Sequence, residues 1–300
     1  MGVQHKDLDA ALEDMGRWLD ANRDYLPQLV LVGGLAQFLF RRCADEANQL
    51  GTPLLTTDAD FAAGVVSAPA DTPTIRELAE GAGFVSDPAI GQAANSSYDR
   101  FFHSRHVKLA SAPLWVEFVA PLGHGDGRQR DGRDIGSVPL QSGLKAPALR
   151  YIEFLLADPL IVDAARCAEL RLHRTTHVRI GHPAALVLQK PLIRKKRRKN
   201  KQMKDMAYVV DVARTTRYFW PQMKSWIDRQ LTGATVKTAW LRRAAKGVLQ
   251  AFEDPDAYGC IEAAQVYSDF PGDNLTAERA CRYVKNMSDA LGLRSLADGR

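Results

Sequence analysis

The run from Leu54 to Gly64, LLTTDADFAAG, constrains the fold more than any other part of the chain. Within it Asp58 and Asp60 flank a single alanine. Side chains alternate faces along a β-strand, so residues two apart project the same way and both carboxylates converge on one face of a sheet. Like charges held that close repel one another and favour protonation unless a cation lies between them. A chain that builds this strand either holds a proton there or brings a cation to that face.

Two other stretches belong with it. LVLVGG, Leu29 to Gly34, reads as a short buried strand ending on a glycine pair, and LAQFLFRRCADEANQL has helical character up to Gly51. At such a turn Gly33 and Gly34 let backbone N–H groups approach a ligand, and the helix start favours an anion such as a triphosphate. In LWVEFVAPL, Glu117 shares a strand face with Trp115 and Val119, while Val116 and Phe118 take the other. A charge in so apolar a strand needs a partner, which a metal shared with the aspartates would supply. Hard Mg²⁺ suits the set, because it takes a few carboxylates and leaves positions for substrate phosphates.

The 300 residues are 46% hydrophobic, enough to bury a core in one large or two modest domains. No apolar run reaches the roughly 18 residues of a membrane span. MGVQHKDLDAALEDMGRWLD carries acids where a secretory signal would have its apolar core, and Gly2 lacks the context for myristoylation. Cys43, Cys167, Cys260 and Cys281 form no CxxC pair and suit a reducing compartment. A cytoplasmic protein with no membrane partner is expected. The net charge of +5 is local: nine Lys or Arg and no acid lie between Lys190 and Lys204, and without them the remainder is −4. Such a concentration, KPLIRKKRRKNKQMK, points to a phosphate-bearing partner.

Apolar Leu8, Leu12, Met15 and Leu19, at spacings of three and four, mark an amphipathic helix. TTDADF is the next strand, TIRELAEGAG a helix entered after Pro73, and RFFHSRHVKLA and LWVEFVAPL two further strands. Gly, Asp and Arg dominate GHGDGRQRDGRDIG, Gly123 to Gly136, which reads as an exposed connection. ALRYIEFLLAD, AARCAELRL and THVRIGHP are expected as strands with a short helix or turn between them. Beyond Pro183 the pattern changes to long helices: ALVLQKPLIRKK, KQMKDMAYVVDVARTT, SWIDRQL, VKTAWLRRAAKGVLQAF and AERACRYVKNMSDAL. The expected fold class is α/β (α+β), with a mixed sheet and flanking helices over 1–183 and a helical half over 184–300.

The order of glycine turn, Asp-x-Asp and later acid resembles the nucleotidyltransferase fold of the polymerase-β type. It is most similar to the AbiEii/MenT-like branch, found among toxin and abortive-infection proteins. VGGLA resembles that branch's GGxA turn, LLTTDADF its T-x-D-x-D strand, and VEFVAPL the strand of its third acid. RIGHPAALVLQK followed by KDMAYVVDV is similar to its Pro-x-x-x…Lys and Lys-Asp helices. The resemblance runs from about Leu29 to Asp211. It implies an enzyme that moves a nucleoside monophosphate from an NTP to a hydroxyl and releases pyrophosphate. Asp58, Asp60 and Glu117 would hold Mg²⁺ or Mn²⁺, with Glu117 nearer the acceptor and able to take its proton. Lys190 would contact the triphosphate, and Gly33, Gly34, Thr57, Lys204 and Asp205 would complete the nucleotide site. Arg194, Lys195, Lys196, Arg197, Arg198, Lys199 and Lys201 would meet an RNA acceptor, above all a tRNA 3′ end. A toxin or phage-defence role with an antitoxin partner would follow.

Plainer roles compete with each feature. A glycine pair serves ordinary turns, a lone Asp-x-Asp sits on solvated edges, and a basic run is often a solvated face. Tyr208, Tyr218, Phe219 and Trp220 either stack bases or fill a helical core. HRTTH sets His173 and His177 at helical i, i+4 spacing but lacks the Glu of a zinc HExxH motif. His103 and His106 are expected at the surface, Trp226 and Trp240 in the core, and Asp211 either buttresses the Lys190 helix or is exposed. The rival functions are a catalytically silent RNA- or protein-binding module and a protein or small-molecule adenylyltransferase. A small acceptor, however, needs no extended cationic surface.

Overall fold

The computed structural model describes residues 5–43, 58–90, 97–106, 114–122, 136–194, 197, 199–233, 235–269 and 274–299. Thr57, Lys195, Lys196, Arg198 and most of the connection from Gly123 to Gly136 lie outside the described residues.

A mixed sheet forms the centre of the first half. Its strands are β1 (Val30–Val32), β2 (Asp58–Ala62), β3 (Phe84–Ile90), β4 (Ser97–His103), β5 (Trp115–Pro121), β6 (Gly136–Gln141), β7 (Leu144–Leu149), β8 (Leu160–Asp163) and β9 (His177–Ile180). They run in the order β3-β4-β5-β2-β1-β9-β8, with β7 joined to β5 and β6 to β7. β2 is parallel to β5 and β1 to β9, whereas β1 and β2 are antiparallel.

One face of the sheet is dry. Ala59, Phe61, Phe101, Val116 and Phe118 pack there against α1 (His5–Ala21), whose Trp18 contacts Phe84, Phe101 and Phe118. α2 (Gly33–Cys43) and α3 (Ile75–Gly81) complete that layer. Thr74 and Glu77 form a capping box that starts α3 just past Pro73. On the opposite face Val30, Val32 and Ala62 open a second core, joined by α4 (Ile152–Leu156) and by the helices that follow. Those are α5 (Pro183–Ile193), α6 (Lys199–Thr215), α7 (Trp220–Thr232), α8 (Thr238–Ala251), α9 (Tyr258–Tyr267), α10 (Ala277–Ala290) and α11 (Leu293–Asp298). Apolar packing is continuous from Val30 to Leu296, so it crosses residue 183 where the element type changes.

Several elements differ from expectation. ALRYIEFLLAD contains α4 rather than a strand, and AARCAELRL forms two short 3₁₀ turns. HRTTH is not helical: His173 lies in a bend and His177 opens β9, so the two do not share a helix face. β3, the β6–β7 hairpin, α9 and α11 were not evident in the sequence pattern. Trp226 is fully buried and donates from Nε1 to the Ala157 carbonyl at 2.9 Å, while Tyr208 is buried and Phe219 and Trp220 pack on the same core. These aromatic residues serve packing. Among the described residues no helix is long and apolar enough to cross a membrane.

Candidate active site

The alternation read from DADFA holds. Asp58 and Asp60 are half-buried on one face of β2, and Ala59 and Phe61 are buried on the other. Glu117 likewise stands on the half-buried side of β5, with Val116 and Phe118 inside. Strand register then lines these residues up. Val32 pairs with Asp60, Asp60 with Glu117, Glu117 with Arg100, and Arg100 with Asp87. One polar row thus crosses the sheet from β3 to the end of β1, and Asp58, paired with Trp115, lies beside it.

The row ends at the turn into α2. Gly33 has φ +76°, the left-handed region that glycine enters without a Cβ clash. A Cβ there would stand 3.1 Å from Asp60 Oδ2. The backbone at the start of α2 and the Asp60 carboxylate are therefore in close approach, with the N-terminus of an eleven-residue helix beside them.

Electrostatics reports the crowding. Burial, and then the charge of Asp58, push the Asp60 carboxyl above the usual carboxylate range, with Lys201, Arg197 and Lys190 opposing. Burial, followed by Asp60 and Asp58, pushes Glu117 up to about 7, against Lys201 and Arg100. The Tyr98 phenol is raised by burial and then by Glu117, which places Tyr98 at the same face.

The opposing cations come from α5 and α6. His182, its ring nitrogen accepting from Ala184 N at 3.2 Å, caps α5, and burial pushes its imidazole down to about 3, so it serves as a neutral cap. Lys190, near the other end of α5 and only 7% exposed, pairs with Asp205 of α6 at 2.8 Å and lies 5.4 Å from the Tyr208 ring centre. Arg197 reaches the other Asp205 oxygen at 3.3 Å. Asp205 thus anchors two of the cations that act on Asp60. Lys204 is half-buried, its amine pushed down by burial against the favourable charge of Asp58. Lys199 and Lys201 are exposed on the first turn of α6. Arg194 turns away: it pairs with Glu262 at 2.6 Å and lies 4.0 Å over the Tyr258 ring, within the helical half.

Asp58, Asp60 and Glu117 fit a hard divalent cation by donor type and by charge, since all three are oxygen donors on one face and two hold their protons unusually well. Among the described residues no three His, Cys, Asp or Glu side chains are gathered into a finished cage. Mg²⁺ does not demand one, because it binds through one or two carboxylates plus substrate phosphates.

Sequence reasoning missed the Arg100–Asp87 pair of this region and left the place of Asp211 open. Arg100 and Asp87, hydrogen-bonded side chain to side chain, extend the polar row. Alternation in SYDRFFH puts Tyr98, Arg100 and Phe102 on one face, but only the register reveals that Arg100 meets Glu117. Asp211 is buried and accepts from Tyr267 Oη at 3.0 Å, with Arg41 of α2 and Arg214 each 3.6 Å away, so it ties the glycine-turn helix to the helical half. A surface cavity of about 690 Å³ is lined by Arg76, Asp99, Gln141, Lys145 and Tyr98 among others. None of the three acids lines it.

Among curated proteins, none matches this chain. A family model described as "Nucleotidyltransferase" matches residues 22–227, a span that holds the glycine turn, all three acids and both cation-bearing helices. The chain belongs to this nucleotidyltransferase family.

Proposed function

We propose that this nucleotidyltransferase moves a nucleoside monophosphate from an NTP to a hydroxyl of RNA, with a tRNA 3′ end as the preferred acceptor, in the cytoplasm. The observation that carries the reading is the register that sets Asp60 beside Glu117, with Asp58 on the same face, under cations from α5 and α6. Asp58, Asp60 and Glu117 are the residues that would hold Mg²⁺ or Mn²⁺, and the bound ion would acidify the attacking hydroxyl and neutralise the triphosphate.

The N-terminus of α2 and the Gly33–Gly34 backbone receive phosphate oxygens. Lys190, fixed by Asp205, adds a point charge there, and Lys204 adds a second. Asp205 holds Lys190 and Arg197 in place for the nucleotide. The acceptor oxygen attacks the α-phosphorus, the bond to the β-phosphate oxygen breaks, and pyrophosphate leaves. Glu117 takes the hydroxyl proton. Lys201, exposed and acting on Asp60 and Glu117, meets the RNA backbone, as do Lys199, Arg197, Lys195, Lys196 and Arg198 of the same run. Arg194 is engaged by Glu262 and contributes its charge at the start of the run. The AbiEii/MenT-like motifs favour the RNA acceptor and a toxin or defence role with an antitoxin.

The test incubates the protein with each labelled NTP, Mg²⁺ or Mn²⁺ and total RNA, beside an Asp58→Ala, Asp60→Ala variant. Label entering RNA with wild type alone is the expected result. Label on protein would replace the acceptor, and RNA binding without any transfer would leave a silent binding module.

A further inference from the structure

Next to the polar row lies a second row of different chemistry. Val85 of β3, 39% exposed, pairs with Phe102 of β4. The Phe102 ring packs on Trp115 of β5 with centroids 4.9 Å apart. Trp115 pairs with Asp58 of β2. The Arg100 guanidinium lies 4.1 Å over the Trp115 ring, held by Asp87. Phe102 and Trp115 are only half-buried, although the other face of these strands offers a closed core to rings such as Phe101 and Phe118. An apolar and π-rich shelf therefore runs up to the acids from the β3 side of the sheet.

Its position has a chemical meaning. The glycine turn and the α2 N-terminus lie across β1, on the opposite side of the acids. If the triphosphate is held there, the leaving pyrophosphate departs toward β1. An in-line displacement then brings the attacking hydroxyl from the other side, over β5 and β4. That path crosses Trp115 and Phe102. Unpaired bases stack on aromatic rings and on Arg guanidinium planes, whatever their sequence.

We infer that Trp115, with Phe102 and Arg100, forms the subsite that stacks the unpaired 3′-terminal base of the RNA acceptor and so positions its hydroxyl. The inference rests on the RNA-acceptor reading above. It makes Trp115 an acceptor-positioning residue, distinct from the phosphate-binding residues of α2, α5 and α6.

The experiment compares wild type, Trp115→Leu and Trp115→Phe, with melting curves confirming that each variant is folded. Trp115→Leu keeps apolar volume without a π face, and Trp115→Phe keeps a ring. Binding of a labelled single-stranded RNA oligonucleotide is measured by anisotropy without NTP, alongside an oligonucleotide whose 3′-terminal nucleotide is abasic. Label transfer from NTP is measured separately, with KM for each substrate. The expected result is RNA binding roughly five- to hundred-fold weaker in Trp115→Leu. Trp115→Phe should recover most of it, KM for NTP should stay unchanged, and the abasic oligonucleotide should not distinguish the variants. Equal RNA binding by wild type and Trp115→Leu, with transfer intact, would overturn the subsite and leave the function standing. A raised KM for NTP alone would assign the shelf to the donor base and overturn the inference. Weaker binding in Trp115→Leu with no transfer by wild type would uphold the subsite and remove the enzymatic reading. Wild type that neither binds RNA nor transfers to it would end both.

Discussion

Glu117 carries a proton to higher pH in the folded protein than in the unfolded chain, 4.5 rising to about 7. The native state therefore binds more protons between those values, and stability falls as pH rises through that window. Without divalent metal, Glu117→Gln should add about 1–3 kcal/mol of stability at pH 8, after allowance for its partial exposure, and little at pH 5. Urea melts at the two pH values measure this, and an equal effect at both would contradict the raised carboxyl. Gly33 gives a second prediction at the same scale. Gly33→Ala forces a side chain into the left-handed region, at roughly 1–2 kcal/mol, and presses a methyl against Asp60. Transfer should fall further than a thermal melt alone would account for, because the displaced carboxylate belongs to the row itself.

Between elements, the Lys190–Asp205 pair joins α5 to α6 out of reach of solvent. Asp205→Asn leaves a buried ammonium with a weaker partner, so a loss of up to about 3–5 kcal/mol is expected, with a higher KM for NTP. Adding Lys190→Gln should restore much of the stability and none of the activity, as melts and kinetics on the same preparations would show. This pair was not legible in the sequence, since KDMAYVVDV holds Asp205 but does not say that it meets Lys190 of α5. The acid-bearing strands were legible, because DADFA and WVEFVAP alternate cleanly between a dry face and a wet one. β3 and β6 were not, for a definable reason. Each contains a proline, Pro88 and Pro139, which suits an edge strand and reads as a break. Pro139 sits where the register of the β6–β7 pair shifts. α9 shows no single apolar stripe, because it packs against α6, α8 and α10 at once.

At the scale of the whole molecule, the family match ends at residue 227, but the core does not. α8 approaches α5 so closely that a Cβ on Gly247 would stand 2.8 Å from the Pro191 Cβ. Val248, Cys260, Val284 and Leu293 fill the same core as Val30 and Ala62. A chain cut after residue 227 should therefore aggregate or lack a cooperative melt, and a soluble, sharply melting fragment would show the last helices to be dispensable. The polar row has a consequence in time as well as in space. The acids, the glycine turn and the cations that face them come from β1, α2, β2, β5, α5 and α6, so no stretch of nascent chain holds the site until residue 205 has left the ribosome. The shared core delays closure further, toward the last helices. At about 5–20 residues per second, synthesis leaves an interval of many seconds in which the polypeptide exists but cannot act. Activity would then begin abruptly, on completed molecules alone, and fragments from interrupted translation would be silent.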